Sequence, residues 1–393
     1  MTPVSTVESV PAQQPSTVQP SSEKQRLVSL DVFRGITIAA MILVNDPGNW
    51  SAVYPPLLHA EWNGWTPTDL VFPFFLFIMG VAMEFSFASR QTAQAPSDPL
   101  RKSIVVHVFY RAAIIFALGL FLHLLPFFPW HRMRIMGVLQ RIALCYLFAA
   151  LLTLKTGVKA RIVVIGSLLF GYWALMTLVP VPGYGRGQLD QDGNLAAYID
   201  RTLMAGHTWK LTWDPEGLLS TLPAIATTLL GGFAGGWLRS SAKRQRKILG
   251  LIVAGVAGLA LGELWNLWFP INKNIWSSSY VVFTSGFACL LLALCYWLIE
   301  VKNWSRGWVM PFLVFGKNAI AAFVLSILLA KTLLIWKLNV GGKNISLWNY
   351  IFQKVFAPLA NPRLASLLFA LTFVAICWLV MLVFYRKKIF LKI

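Results

Sequence analysis

Two groups of residues in this chain have types and spacings that could do chemistry. The first group is ionisable side chains set inside apolar runs: Asp31 and Arg34, Glu84, His107 and Arg111, Gln140 with Arg141, Glu263, and Lys317 beside Asn318. Charge in lipid is expensive, so each is a candidate for function. Asp31 and Arg34 stand three apart and share a helix face; an ion pair at a helix end explains them as well as a ligand does. Arg141 lies seven residues past Arg134, roughly 10 Å along a helix rising 1.5 Å per residue. At that depth it needs an acid, with Glu84 or Glu263 the candidates, or a polar tunnel holding an anion.

The second group is the loop after the first apolar run. It begins Asn45-Asp46-Pro47-Gly48-Asn49-Trp50 and continues from His59 through Glu61, Trp62, Asn63 and Trp65 to Asp69. An imidazole titrates near neutrality and can take a proton from an amine or a hydroxyl. Trp50, Trp62 and Trp65 present apolar faces with a polar edge. These suit sugar rings, and they suit a membrane interface equally well. On residue types alone, a structural His59 and interfacial tryptophans stand beside a catalytic reading.

The elements that must position these residues are apolar. Of 393 residues, 57% are hydrophobic and 12% charged, about half the charge of an ordinary soluble domain. That excludes a soluble enzyme, a disordered chain, a coiled coil and a disulfide scaffold. Apolar runs fall at 28–48, 70–89, 104–126, 135–154, 161–181, 218–238, 247–269, 278–299, 309–330 and 364–385. Each is close to the roughly 20 residues a spanning helix needs. The expected fold is therefore all-α, a polytopic integral membrane bundle of about ten helices. An eleventh apolar stretch, 345–360, reads as interfacial.

The net charge of +19 follows from topology and does not imply a nucleic-acid partner. Basic residues crowd one set of loops, as at Arg239, Lys243, Arg244, Arg246 and Lys247 and at Arg386, Lys387, Lys388 and Lys392. Those loops are expected in the cytoplasm with both termini, which puts His59 outside. Residues 1–25 lack the pattern of a signal peptide and read as a disordered cytoplasmic tail. The remainder, 26–393, reads as one membrane domain. Its long outer loop, 182–217, could fold over a site as a lid. Cys145, Cys289, Cys295 and Cys377 lie inside apolar runs with no metal-ligand spacing, and no metal is expected. Glycines four apart, at 231 and 235, 232 and 236, and 258 and 262, predict close helix packing.

Six segments carry a resemblance: SLDVFRG at 29–35, ILVND at 42–46, HAEWNGWTPTDLVFPFFLFIMG at 59–80, RIMGVLQRIALCYL at 134–147, WNLWFPINKNIWSSSYVVFTSG at 265–286 and FGKNAIAAFVLS at 315–326. In this order they resemble the transmembrane acyltransferases typified by heparan-α-glucosaminide N-acetyltransferase. The resemblance runs from about residue 27 to the C-terminus, apart from the lid loop. It implies acetyl transfer from cytosolic acetyl-CoA to an amino sugar on the non-cytoplasmic side, with His59 in the active-site histidine motif. The short tail leads us to expect a minimal membrane core in a bacterial inner membrane, acting on glucosamine or an envelope amino sugar.

On that footing His59 is either a general base or an acyl carrier. Asp69 or Asp46 can orient its imidazole. Asn45, Asn63 or Asn272 can donate to the oxyanion. Trp50, Trp62, Trp65 and Trp276 are candidate sugar platforms, with Asn63, Asn272 and Lys273 as further acceptor contacts. Arg34, Arg111, Arg141 and Lys317, assigned to the cytoplasmic half, are candidates for the CoA phosphates. The competing readings are an amino-sugar transporter, which should show paired broken helices, and a structural membrane component. Oligomeric state is left open, a homodimer included.

Overall fold

The computed structural model describes residues 27–91, 98–304 and 307–391; the expected disordered tail lies outside them. The described chain is mostly helical, with almost no sheet. In order come α1 (Val28–Asn45), α2 (Val71–Gln91), α3 (Asp98–Leu124), α4 (Val138–Lys155), α5 (Val158–Leu178) and the short α6 (Leu195–Leu203). Then follow α7 (Thr221–Arg239), α8 (Arg244–Asn266), α9 (Ser278–Tyr296), α10 (Val309–Lys317), α11 (Ala319–Ile335), α12 (Leu347–Ile351) and α13 (Pro362–Arg386). Strands β1 (Lys337–Val340) and β2 (Lys343–Ser346) form one antiparallel hairpin. Its turn is Gly341-Gly342, both at positive φ (58° and 79°), as a two-residue hairpin turn requires.

Side chains set several helix starts. Asn361 caps α13 by accepting from the Leu364 N–H at 3.0 Å, with Pro362 in the first turn. Asn194 caps α6 through the Ala197 N–H at 2.8 Å. Both satisfy donors that a helix start leaves free.

Nine helices among the described residues are long and apolar enough to cross a membrane, as the apolar runs predict. The run at 309–330 differs from a single span. It is broken into α10 and α11, which meet at 86° around Asn318. The Asn318 amide is engaged there: Nδ2 donates to the Ile389 carbonyl at 3.1 Å, and Oδ1 accepts from the Leu391 N–H at 3.1 Å. No second broken pair occurs among the described residues, so the paired symmetry expected of a carrier is not found there. The stretch at 345–360 forms only α12 and a following π-turn (Phe352–Phe356), in line with its interfacial reading.

The glycine pairs act at close helix crossings. Gly231 and Gly235 of α7 lie against the α2 backbone at Phe77 and Val81, while Gly80 of α2 faces Thr228. On the next pair, a Cβ at Gly258 would come 2.9 Å from Gly286 and one at Gly262 2.6 Å from the Phe283 Cβ. Small residues let backbones approach where lipid gives no hydrophobic drive.

Hydrogen bonds gather the loops at one end of the bundle. Gly64 N–H donates to Ile271 O at 2.8 Å, Ile135 N–H to His207 O at 3.0 Å, and Gly48 N–H to Ser366 O at 3.3 Å. Trp62 Nε1 donates to Leu189 O at 2.8 Å. The segments between α1 and α2, α3 and α4, α5 and α7, α8 and α9, and α11 and α13 therefore share the end that carries His59.

Enlarging Gly231 tests this packing. Gly231→Leu should lower the melting temperature in detergent sharply or prevent monodisperse folding, because the new Cβ meets the Phe77 carbonyl. Gly171→Leu, where nothing lies within 4 Å, should change little.

Candidate active site

The site begins with a buried acid at the entrance to α2. Pro67–Leu70 forms a 3₁₀ turn in which Thr66 and Asp69 cap each other: Asp69 Oδ2 accepts from the Thr66 N–H at 3.0 Å, and the Thr66 hydroxyl, 3.1 Å from that oxygen, donates to Leu58 O at 2.6 Å. Asp69 Oδ2 also accepts from the Ala60 N–H at 3.0 Å. The other, Oδ1, accepts from His59 Nδ1 at 2.7 Å. Asp69 is buried, and the Ala60 N–H, the Thr66 N–H and His59 are arranged around the charged form, the condition under which a carboxylate stays ionised. His59 is 44% exposed. Between two acids considered for orienting it, Asp69 is the one that does so.

Lys273 approaches from the α8–α9 segment. Its Nζ lies 3.0 Å from Nδ1 and 3.1 Å from Nε2 of His59, and 3.8 Å from Asp69 Oδ1. A donor on one lone pair would be much farther from the other nitrogen, so this ammonium sits over the imidazole face. Burial pushes its pKa below the ordinary lysine value, with Asp69 and Glu216 pulling the other way. The motif suggests an acceptor contact for Lys273; in the structure its ammonium lies on the histidine.

The turn that delivers Lys273 is built by Asn272. Its Oδ1 accepts from the Asn274 and Ile275 N–H groups at 2.8 and 3.1 Å, and its Nδ2 donates to Asn63 Oδ1 at 3.1 Å. Asn272 is fully buried, so it shapes the loop. Asn63 is exposed and its amino group has no protein partner among the described residues.

Trp276 is corrected from sugar platform to packing keystone. It is 1% exposed and held at φ 51°, a conformation rare for a bulky residue. Its edge meets Phe72 and Tyr280, and its Nε1 donates to Thr227 at 3.2 Å. Trp65, 37% exposed, tilts onto Phe283 and Phe287, while Trp62 sits edge-on to Trp213.

Arg141 is corrected too. It lies at the His59 end, fully buried, with its guanidinium 5.0 Å from the Trp276 ring centre. Its Nη2 donates to Gly217 O at 3.1 Å and to Ser220 Oγ, leaving Nε and Nη1 without a protein partner among the described residues. It pairs with neither acid proposed for it. Glu84 meets Arg161 and Arg239, and Glu263 meets Asn266. The reason is direction: α4 leaves the His59 end, so its first turn belongs there.

The other three CoA candidates lie elsewhere. Arg34 pairs with Asp31 at 3.2 Å and donates to Gly316 O at 3.1 Å, next to Lys317, which lies over Tyr385 at the far end of α13. Arg111 stacks on Tyr146. Asn45 and Asp46 line another cavity, and among the described residues no hydrogen bond or ion pair joins either to His59 or Asp69.

The loop 182–217 meets this end: Trp62 Nε1 donates to Leu189 O at 2.8 Å, and Leu195 and Ala196 share one apolar cluster with Phe269 and Ile275. Its anchor escaped the sequence reading: Arg134 binds Asp214 through two nitrogens, Nε at 2.8 Å, and reaches Glu216 as well. These partners lie 80 or more residues apart, and the only signal was acids concentrated in a loop facing a basic one.

A family described as heparan-α-glucosaminide N-acetyltransferase, catalytic, matches residues 26–260. The heparan-α-glucosaminide N-acetyltransferases of Homo sapiens and Mus musculus are each 31% identical to this chain, over 368 and 372 residues. The aligned region is 79% of this chain and 54% of each relative, so the chain spans about half the length of the curated relatives it matches.

Asp200 gives a pH test of the loop 182–217. It is buried, accepts from the Leu218 N–H at 2.9 Å, and burial first, then the Asp214 charge, push it from an ordinary 3.8 up to about 7. Between those values the folded state holds more protons than the unfolded chain, so stability falls as pH rises through the window. Asp200→Asn should raise the melting temperature by a few degrees at pH 8 and change it little at pH 4. Equal shifts at both would refute a buried titrating carboxyl.

Proposed function

The chain belongs to the heparan-α-glucosaminide N-acetyltransferase catalytic family, and on that premise we propose that it is a transmembrane acetyltransferase using acetyl-CoA. The acceptor in this reading is the amine of a glucosamine-type sugar. The observation that carries it is the His59–Asp69 pair beneath Lys273, an oriented base in an exposed loop. We assign the His59 end to the periplasm and both termini to the cytoplasm of a bacterial plasma membrane, on the basic-residue bias.

With Asp69 accepting from Nδ1–H, the lone pair of His59 is on Nε2. The acceptor amine attacks the thioester carbonyl carbon and its N–H proton passes to Nε2. The carbonyl oxygen becomes an oxyanion. The C–S bond then breaks, the amide forms, and the CoA thiolate takes the proton back from the imidazolium. If His59 attacks first, the acetyl group rests on Nε2 as an acyl-imidazole before the amine takes it; the same geometry serves both routes. Lys273, 3.1 Å from Nε2, and the Asn63 amino group, without a partner among the described residues, supply positive charge and a donor near any oxyanion formed there. Arg34 and Lys317, at the opposite end, remain suited to CoA phosphates; Arg141 does not belong with them.

His59→Ala in purified protein should cut acetyl transfer from acetyl-CoA to glucosamine by about 100-fold or more, the scale of a lost general base. A residual rate above a tenth of wild type would remove His59 from the chemistry. Lys273→Met should lower kcat while leaving His59 in place. An unchanged kcat would reduce Lys273 to a packing role.

A further inference from the structure

A cavity of about 530 Å³ opens at the His59 end, and none of its lining residues belongs to the His59–Asp69–Lys273 cluster. Local sequence builds it. α1 stops at Asn45, and the residue before Pro47 is pushed away from helical geometry; Asp46 sits at φ −126°, ψ 50°. Gly48 then passes so close to Phe352 and Phe369 that a Cβ would meet them at 2.6 and 2.8 Å. Its carbonyl accepts from Trp348 Nε1 at 3.3 Å. That packing fixes one wall. Asn349 and Gln353, four apart on one face of the α12 segment, supply the opposite rim.

Asp46 is the unexplained group. It is 8% exposed and lines this cavity, and its carboxyl has no hydrogen bond or ion pair among the described residues. Burial alone pushes it up to about 7, so an approaching cation would draw it into the ionised form. Around it stand Asn45, Asn49, Asn349 and Gln353, whose amides both donate and accept. Trp50, 60% exposed, adds an open indole face. The volume falls within the roughly 300–1,000 Å³ of small-molecule sites. Ala330 and Leu334 add an apolar side, but a neutral apolar guest would leave the Asp46 carboxyl unpaired. An anion would face Asp46.

We propose that this cavity is a second saccharide site, separate from His59, that takes an amino-sugar ring in its cationic form. The ammonium pairs with Asp46, the ring hydroxyls bond to the amides, and the ring lies against Trp50. The choice of sugar rests on the proposed acceptor; the cationic class rests on Asp46 itself.

Equilibrium binding to purified His59→Ala protein in detergent tests this without turnover. Glucosamine should bind, with N-acetylglucosamine and glucose at least 10-fold weaker. Adding Asp46→Asn should weaken glucosamine at least 10-fold. Trp50→Ala, a surface change with little risk to folding, should weaken it and remove any ligand-induced change in tryptophan fluorescence. Glucosamine affinity untouched by both substitutions, or equal affinity for glucose, would overturn the proposal. The two readings fail separately. Asp46-dependent binding without acetyl transfer would sink the acetyltransferase reading and keep the site; transfer without such binding would do the reverse.

Discussion

The His59 site depends on one buried carboxylate. Asp69 is 1% exposed, and an ionised acid there is tolerable only because donors surround it. Two are backbone N–H groups of the loop, from Ala60 and Thr66, which fix the chain as it enters α2. The third is His59. The bond that sets the imidazole's orientation is thus part of the same cap that folds the loop. Tyr280 of α9 donates its hydroxyl to the Asp69 carbonyl at 2.5 Å, tying that cap to the helix that follows Lys273.

The second layer holds the opposing loop in place. Asn272 turns the chain so that Lys273 faces His59 and Trp276 faces inward. Trp276 in turn takes the Arg141 guanidinium on its ring, and Arg141 holds Gly217 and Ser220 at the foot of the lid loop. Arg134 grips Asp214 and Glu216 from outside. A line of contacts therefore runs from the imidazole through Lys273 and Trp276 to the end of the loop 182–217, which gives buried arginines a structural use that needs no phosphate.

Much of the fold was legible because lipid simplifies the problem. Apolar length fixes the helices, and glycine spacing marked the α2–α7 and α8–α9 crossings. The break at Asn318 was not legible, since the hydropathy of 309–330 carries straight through it. For the site, local order helped and distance did not. His59 and Asp69 lie ten residues apart within one motif, and they meet. Lys273 is 214 residues from His59; its presence could be suspected, but its place over the ring could not. Arg141 was misplaced because depth was counted without direction along the chain. Trp276 was misread because an aromatic in a loop motif looks the same whether it faces a ligand or the core. Asn45 and Asp46 were grouped with His59 by sequence nearness, yet Gly48 and Trp348 divert that stretch into another cavity.

The most direct test of the account is single-turnover acetyl transfer by Asp69→Asn protein. Asparagine keeps an oxygen for the Ala60 and Thr66 donors but turns an amino group toward Nδ1. The imidazole must then carry its proton on Nε2, the wrong nitrogen for a base. The account predicts a folded protein with near-normal acetyl-CoA affinity and a chemical step slowed by about 100-fold or more. A chemical step at the wild-type rate would contradict it, because the Asp69–His59 pair could not then be the catalytic centre.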